Sequence, residues 1–105
     1  MAWFWLVLAG ALEVVWAFSM KQSNGFTKPV PTLITLATLT ASFILLSLSL
    51  KSIPLGTAYP IWTGIGALGA FAVGVVVFDE PATARRLIAV GLLLLGVVLL
   101  KWSEA

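Results

Sequence analysis

The residue whose chemistry stands out in this sequence is Glu13, a carboxylate in the middle of the apolar run from Trp3 to Met20. Placing a charge at the centre of a membrane costs on the order of 2.5–3.5 kcal/mol on insertion scales. A carboxylate at that depth can gain and lose a proton or bind a cation. The plainer interpretation is a protonated glutamate that hydrogen-bonds to a neighbouring helix and tightens the packing. We favour the binding function.

Helical spacing surrounds Glu13 with small residues and one aromatic ring. Gly10 and Trp16 lie three residues before and after it, and Ala9 and Ala17 lie four residues away. A helix with 3.6 residues per turn places all of them on one face. Small residues let another helix approach closely, while Trp16 offers an aromatic face to a cation.

Hydrogen-bond donors on later segments are candidates for holding that carboxylate. In the third apolar segment Tyr59 and Trp62 share a face, and a phenol O–H or an indole N–H can donate to a carboxylate. Core packing is the alternative role for this pair. The second segment carries hydroxyl residues at helical spacing, namely Thr35, Thr38, Ser42 and Ser49. Such hydroxyls often bond their own helix instead, so both roles stay open.

Four apolar segments must position these residues. Their approximate spans are 3–20, 31–50, 55–78 and 84–102. A membrane-crossing helix needs about 20 apolar residues, so four of them use roughly 80 positions of the chain. The sequence therefore predicts an all-α integral membrane protein, a single domain of four transmembrane helices over residues 1–105.

The third segment is rich in glycine at the level of the membrane centre. Gly64, Gly66 and Gly69 allow close packing, a kink or a hinge for a conformational step. The spacing does not separate these roles, and we take the hinge as our prediction.

The composition excludes most other classes of function. Hydrophobic residues make up 61% of the 105 residues and charged residues 10%, against about 25% charged in an average soluble domain. A soluble domain of this size could not bury so much apolar surface. Because the chain has no Cys or His, disulfides, the usual zinc sites and thiol or histidine catalysis are excluded. We expect no enzyme activity and no cofactor, and six dispersed basic residues make no nucleic-acid-binding patch.

The charges flanking the segments give no clear direction of insertion. With a cytoplasmic amino terminus, that side carries Lys51, Lys101 and the terminal amine. The opposite side carries Lys21, Lys28, Arg85 and Arg86. Neither side has a decisive excess, so the chain either follows a weak bias or inserts in both orientations.

A single chain of four short helices is too thin to enclose a water-accessible pathway, so we expect a homodimer. Dimerisation brings two Glu13 side chains together, and two facing carboxylates titrate as a coupled pair. Such a pair can hold protons or a cation, and competition between the two is the basis of antiport.

Several motifs follow one another over nearly the whole chain. They are Ala9-Gly10, Glu13-Val14-Val15-Trp16-Ala17, Lys21, Ser23-Asn24-Gly25-Phe26, Pro31, Ser42, Lys51, Pro54-Leu55-Gly56-Thr57-Ala58-Tyr59 and Trp62-Thr63-Gly64-Ile65-Gly66-Ala67. Together with the four-segment length, they resemble the small multidrug resistance transporters. Trp16 and the Trp-Thr-Gly sequence at 62–64 resemble the guanidinium-exporter subtype rather than the polyaromatic multidrug subtype.

The resemblance implies a proton-coupled antiporter of the bacterial inner membrane. It implies an antiparallel homodimer of oppositely inserted copies that exports guanidinium, or a small substituted guanidinium, in exchange for protons. Glu13 of both subunits would bind the cation or protons. The pocket and carboxylate-orienting residues would be Gly10, Trp16, Ser42, Tyr59 and Trp62. The expected partners are a small organic cation, protons, membrane lipid and a second copy, with no nucleic acid.

Position 60 departs from the family pattern, in which alanine is usual. Pro60 cannot bond the Gly56 carbonyl and disfavours helical geometry at Tyr59. We therefore expect a looser site that also accepts substituted guanidiniums or small quaternary ammoniums. Two alternatives stay open: a broader quaternary-ammonium or multidrug cation–proton antiporter of the same fold, and a structural membrane subunit that transports nothing, in which Glu13 serves packing alone.

Overall fold

The computed structural model describes residues 1–103 and folds them into four helices joined by short loops. The helices are α1 (Ala2–Gln22), α2 (Pro29–Ser49), α3 (Leu55–Val77) and α4 (Ala84–Trp102). The all-α prediction is confirmed, and the last two residues of the predicted domain lie outside the described part of the chain. Helices α1, α2 and α3 are each long and apolar enough to cross a membrane.

Helix α4 differs from the other three because its ends are charged. Arg85 and Arg86 lie in its first turn and Lys101 in its last, so only the stretch between them is free of charge. Long basic side chains can extend along an apolar helix to the membrane surface. The fourth span stays a prediction.

Helix α1 is the centre of the fold, since it packs along both α2 and α3, whereas α4 contacts α3 within the described chain. No residue of α4 is buried. The buried apolar residues are Leu6, Ala9, Leu46, Ile53, Ala58, Ile61 and Trp62. Most other large apolar side chains point outward, as expected where the surrounding solvent is hydrocarbon.

The helices run up and down, so the loops gather at two ends of the bundle. The loops after α1 and α3 lie together, because Lys21 and Glu80 border one crevice. At the other end the amino terminus, Pro54 and Ser103 border another cavity. Glu13, at the middle of α1, is therefore far from both ends.

The glycines of α3 make room for side chains of the neighbouring helices. A Cβ placed on Gly64 would overlap Val97 of α4, and one placed on Gly69 would overlap Val14 of α1. Helix α3 is continuous through Gly64, Gly66 and Gly69. Close packing therefore accounts for these glycines in this conformation, and their action as a hinge stays a prediction.

The expectation that Pro60 disturbs the helix at Tyr59 is wrong. Helix α3 begins after Pro54 and runs without a break through Tyr59 and Pro60. Pro60 lies in the second turn, so its missing N–H removes a single helical bond, the one to the Gly56 carbonyl. Gly56 is exposed at the start of the helix, where its carbonyl can find another donor.

The loop between α1 and α2 is built on the buried Ser23. The Ser23 hydroxyl donates to the Met20 carbonyl at 2.6 Å and accepts the Phe26 backbone N–H at 3.0 Å. Residues 24–26 all have positive φ, the left-handed conformation that reverses a chain tightly. The result is a compact connection between two packed helices.

The loop between α3 and α4 is held to both helices. The Glu80 backbone N–H donates to the Gly74 carbonyl at 3.0 Å, and the Glu80 carboxylate lies 3.6 Å from the Arg86 guanidinium. Thr83 caps α4 by accepting the Arg86 backbone N–H at 3.3 Å. Asp79 has a φ of 56°, which turns the chain after α3.

Candidate functional site

Glu13 faces α3 at the centre of the bundle. Its Oε1 is buried and has no hydrogen-bond partner among residues 1–103. A Cβ placed on Gly66 would overlap the carboxyl group and lie 2.7 Å from the Glu13 Cγ, so only glycine at position 66 leaves room for this side chain. The residue as a whole is half-buried, and part of it can be reached from outside the chain.

Trp16 supplies a second unpaired polar atom one helical turn from Glu13. Its indole Nε1 is also buried without a partner in the described chain. A buried polar group without a hydrogen bond costs about 1–3 kcal/mol. A carboxyl oxygen and an indole N–H on one helix face therefore favour a ligand or a second chain that completes their bonding.

Ser42 and Trp62 form a hydrogen-bonded network beside the carboxyl group. The Trp62 indole donates to the Ser42 hydroxyl at 3.1 Å, and that hydroxyl donates to the Ala9 carbonyl at 2.7 Å. All three residues are buried. Because Ala9 lies one turn before Glu13, the network fixes α1, α2 and α3 together next to the site.

The network does not include the carboxylate. The single proton of the Ser42 hydroxyl points to Ala9, so Ser42 would have to release that carbonyl before donating to Glu13. The predicted role of Ser42 and Trp62 in orienting the carboxylate stays a prediction.

Tyr59 lies away from Glu13 within its own chain. It precedes Gly66 by two turns of α3, about 10 Å along the helix axis. Tyr59 is 52% exposed, and its ring packs beside Trp62, with centroids 5.6 Å apart. Phe43 packs against Trp62 at the same distance. Nothing in the sequence marked Phe43, because it lies in an apolar run where any large residue fits.

Gly10 is a contact between α1 and α3. A Cβ at this position would lie 2.7 Å from Ile65 Cγ2, so Gly10 lets Ile65 pack one turn from Glu13. The role of Gly10 in lining a pocket stays a prediction. Ile65 itself was not predicted as a contact, because helical periodicity does not fix the register between two helices.

The hydroxyl residues of α2 separate into two kinds. Thr35, Thr38 and Ser49 donate to carbonyls of their own helix at 2.7–2.8 Å. Ser42 alone among these four reaches another helix. Within residues 1–103, no three side chains with metal-ligating groups come together.

Known proteins resemble the chain over nearly its full length. A family model described as Small Multidrug Resistance protein matches residues 1–93. The protein named guanidinium exporter in Yersinia pseudotuberculosis serotype I is 48% identical over 99% of this chain and 100% of its own. Proteins of the same name in Citrobacter freundii and Salmonella typhimurium strain LT2 are 45% and 46% identical, over 98% of each chain.

The membrane-spanning helices and this similarity fit a multi-pass protein of the bacterial inner membrane. With a match that extends over nearly its whole length, the chain belongs to the small multidrug resistance family.

Proposed function

We propose that this chain exports guanidinium from the bacterial cytoplasm in exchange for protons. The observation that carries the proposal is the carboxyl group of Glu13, which lies at the middle of α1 against Gly66 with an oxygen unpaired among residues 1–103. Relatives 45–48% identical that are named guanidinium exporter support the choice of substrate.

The chemistry of the site suits guanidinium. This cation is planar, permanently charged and rich in N–H donors, so one carboxylate can accept two parallel hydrogen bonds from it. Trp16 can add its aromatic face, one turn away. A quaternary ammonium has no N–H group and relies on charge and aromatic contact alone. The unpaired oxygen of Glu13 therefore favours a donor-rich cation.

Exchange follows from a single acceptor that serves two ligands. A proton bound to the Glu13 carboxylate removes both its charge and one of the lone pairs that guanidinium uses. Cation binding requires that proton to leave, and proton binding expels the cation. In a dimer the two Glu13 carboxyl groups release two protons for each cation that they bind, so each exchange moves one net charge and is recorded as a current. The network of Ser42 and Trp62 keeps the helices around the carboxyl group in place while the two ligands alternate.

We propose that the working unit is an antiparallel homodimer with four spans in each copy. The weak charge bias, the accessible part of Glu13 and the outward-facing apolar residues of α2 and α4 support this arrangement. Two copies in opposite orientations behave as an inverted repeat. When the copies exchange conformations, the inward-facing state becomes the outward-facing state, so the two states have similar free energies.

Transport by purified full-length protein in liposomes tests the proposal. A pH gradient is imposed, guanidinium or tetraethylammonium is added separately, and the electrical current is recorded. Glu13→Gln keeps the side-chain shape but cannot release a proton, and Asp79→Asn removes a loop carboxylate as the matched control. We expect guanidinium currents that disappear in Glu13→Gln, persist in Asp79→Asn and have little counterpart with tetraethylammonium.

Two other results would each select one of the alternatives. Comparable currents with both cations would favour a broader quaternary-ammonium or multidrug antiporter. No current with either cation, in protein shown to be folded and dimeric, would favour a structural subunit.

A wider substrate range is the second candidate, and Pro60 is the observation that favours it. By removing a helical hydrogen bond in the second turn of α3, Pro60 makes the segment that carries Tyr59 easier to displace. A displaced Tyr59 leaves more space for a substituted cation. Pro60→Ala should then narrow the range of transported cations, and unchanged selectivity between guanidinium and tetraethylammonium would remove this role.

A further inference from the structure

A crevice between α1 and α3 runs from one end of the bundle toward the site. This α1–α3 crevice has a volume of about 120 Å³, with Lys21 and Glu80 at its mouth, Ala17 and Ala70 along its sides and Val14 at its inner end. It opens at the end of the bundle that carries the loops after α1 and α3.

The crevice has the size and the polarity to hold water near its mouth. A water molecule occupies about 30 Å³ in the liquid, so about four fit this volume. The Lys21 ammonium lies 5.7 Å from the centre of the Phe78 ring, and the Glu80 carboxylate packs on Gly74. Both charged groups are therefore held at the opening.

Val14 closes the inner end. Its side chain packs so tightly on Gly69 that a Cβ there would overlap Val14 Cγ2. Gly69 lies one turn of α3 beyond Gly66, on which the Glu13 carboxyl group rests. One layer, the contact between Val14 and Gly69, thus separates the crevice from the carboxyl group.

We propose that this contact is a barrier that keeps protons in the crevice from reaching Glu13. The barrier role of this contact rests on the proposed function, in which Glu13 carries the transported proton. In the proposed antiparallel dimer the crevices of the two copies open to opposite membrane surfaces. Continuous lines of water through both crevices would connect the Glu13 pair to both sides at once, so protons would cross without substrate and dissipate the gradient that drives export. Val14 is a barrier residue that couples proton movement to substrate exchange.

Proton leak in liposomes without guanidinium tests the barrier. A pH gradient is imposed across vesicles that contain a pH-sensitive dye, with potassium and valinomycin to clamp the voltage. Val14→Ala opens the barrier, and Val15→Ala makes the same change at the neighbouring residue, which is 41% exposed on the outside of the chain. We expect Val14→Ala to leak protons several-fold faster than the wild type and Val15→Ala to match the wild type.

A second pair of variants defines the route and guards against misfolding. In Val14→Ala combined with Glu13→Gln, the leak should fall to the level of protein-free vesicles, because the route requires the carboxyl group. Val14→Thr keeps the side-chain shape and adds a hydroxyl that water can bond, so it should leak as well. If Val14→Ala does not fold, the proton leak of Val14→Thr tests the barrier in its place.

Equal leak in the Val14 and Val15 variants, or a leak that persists without Glu13, would overturn the barrier. Guanidinium exchange is measured in parallel on wild-type vesicles. If that exchange depends on Glu13 while the folded Val14 variants do not leak, only the barrier is wrong. If wild-type exchange is absent, the proposed function is wrong instead.

Discussion

Replacing Gly66 by alanine perturbs the contact on which the site depends. The new Cβ would overlap the Glu13 carboxyl group and lie 2.7 Å from its Cγ, where ordinary contacts are 3.4–4 Å. Gly66 is buried, so α3 cannot shift away without separating from α1. The Glu13 side chain must therefore leave its position.

The expected effect of Gly66→Ala on the free energy of unfolding is the difference between a packing cost and a gain in helix propensity. Overpacking a tight contact costs about 1–3 kcal/mol, whereas exchanging glycine for alanine inside a helix returns about 1 kcal/mol. The fold should lose no more than about 2 kcal/mol by this difference. Binding should suffer more, because a hydrogen bond to a charged group contributes about 1.5–3 kcal/mol. Loss of one such bond weakens guanidinium affinity about ten- to a hundredfold.

Calorimetric titration of guanidinium into purified protein measures this effect, with circular dichroism to verify folding. Gly91→Ala in α4 is the matched control, because a Cβ there meets no atom within 4 Å. It should bind guanidinium as the wild type does. If folded Gly66→Ala protein also binds with wild-type affinity, the carboxyl group does not act from the position seen against Gly66.

Two further predictions concern stability, measured by unfolding in denaturing detergent. Asp79→Gly should stabilise the protein by about 1 kcal/mol, because glycine adopts the positive φ of this position without strain; an equal gain from Asp79→Ala would contradict this reason. Ser42→Ala should cost about 1–3 kcal/mol, since it leaves the buried Trp62 indole N–H without an acceptor. The same change should cost less in a Trp62→Phe background, and additive effects would show that the bond between these residues contributes nothing.

The sequence predicts the helices well because their boundaries carry strong local signals. Helix α3 begins at Leu55, as predicted, directly after Pro54, and the polar run after Met20 separates α1 from α2. Helix α2 begins at Pro29, two residues before the predicted start, because the first turn of a helix tolerates proline. The prediction that Pro60 disturbs the helix at Tyr59 was wrong because it did not consider how close Pro60 lies to the start of α3.

From the sequence, the site could be predicted only as groups of residues that share one face of a helix. Periodicity places Gly10 and Trp16 beside Glu13, but it does not fix the register that brings Gly66 of α3 against the carboxyl group. Ser42 was predicted as a donor, and it is one, yet its proton goes to the Ala9 carbonyl. Which acceptor a hydroxyl bonds depends on differences of a few tenths of an ångström between donor–acceptor distances. These distances are set by the packing of the helices, which the sequence pattern does not predict.

The packing of α1 on α2 also bears on the synthesis of the chain. This hairpin leaves the ribosome first, and it already holds both ends of the bond between Ser42 and Ala9. Glu13 therefore leaves the ribosome before Gly66 can pack against it. Translating the 23 residues of α3 takes about 1–5 s at about 5–20 residues per second. A pause in translation after α2 would prolong the time during which the nascent hairpin holds this carboxyl group without the packing that α3 supplies.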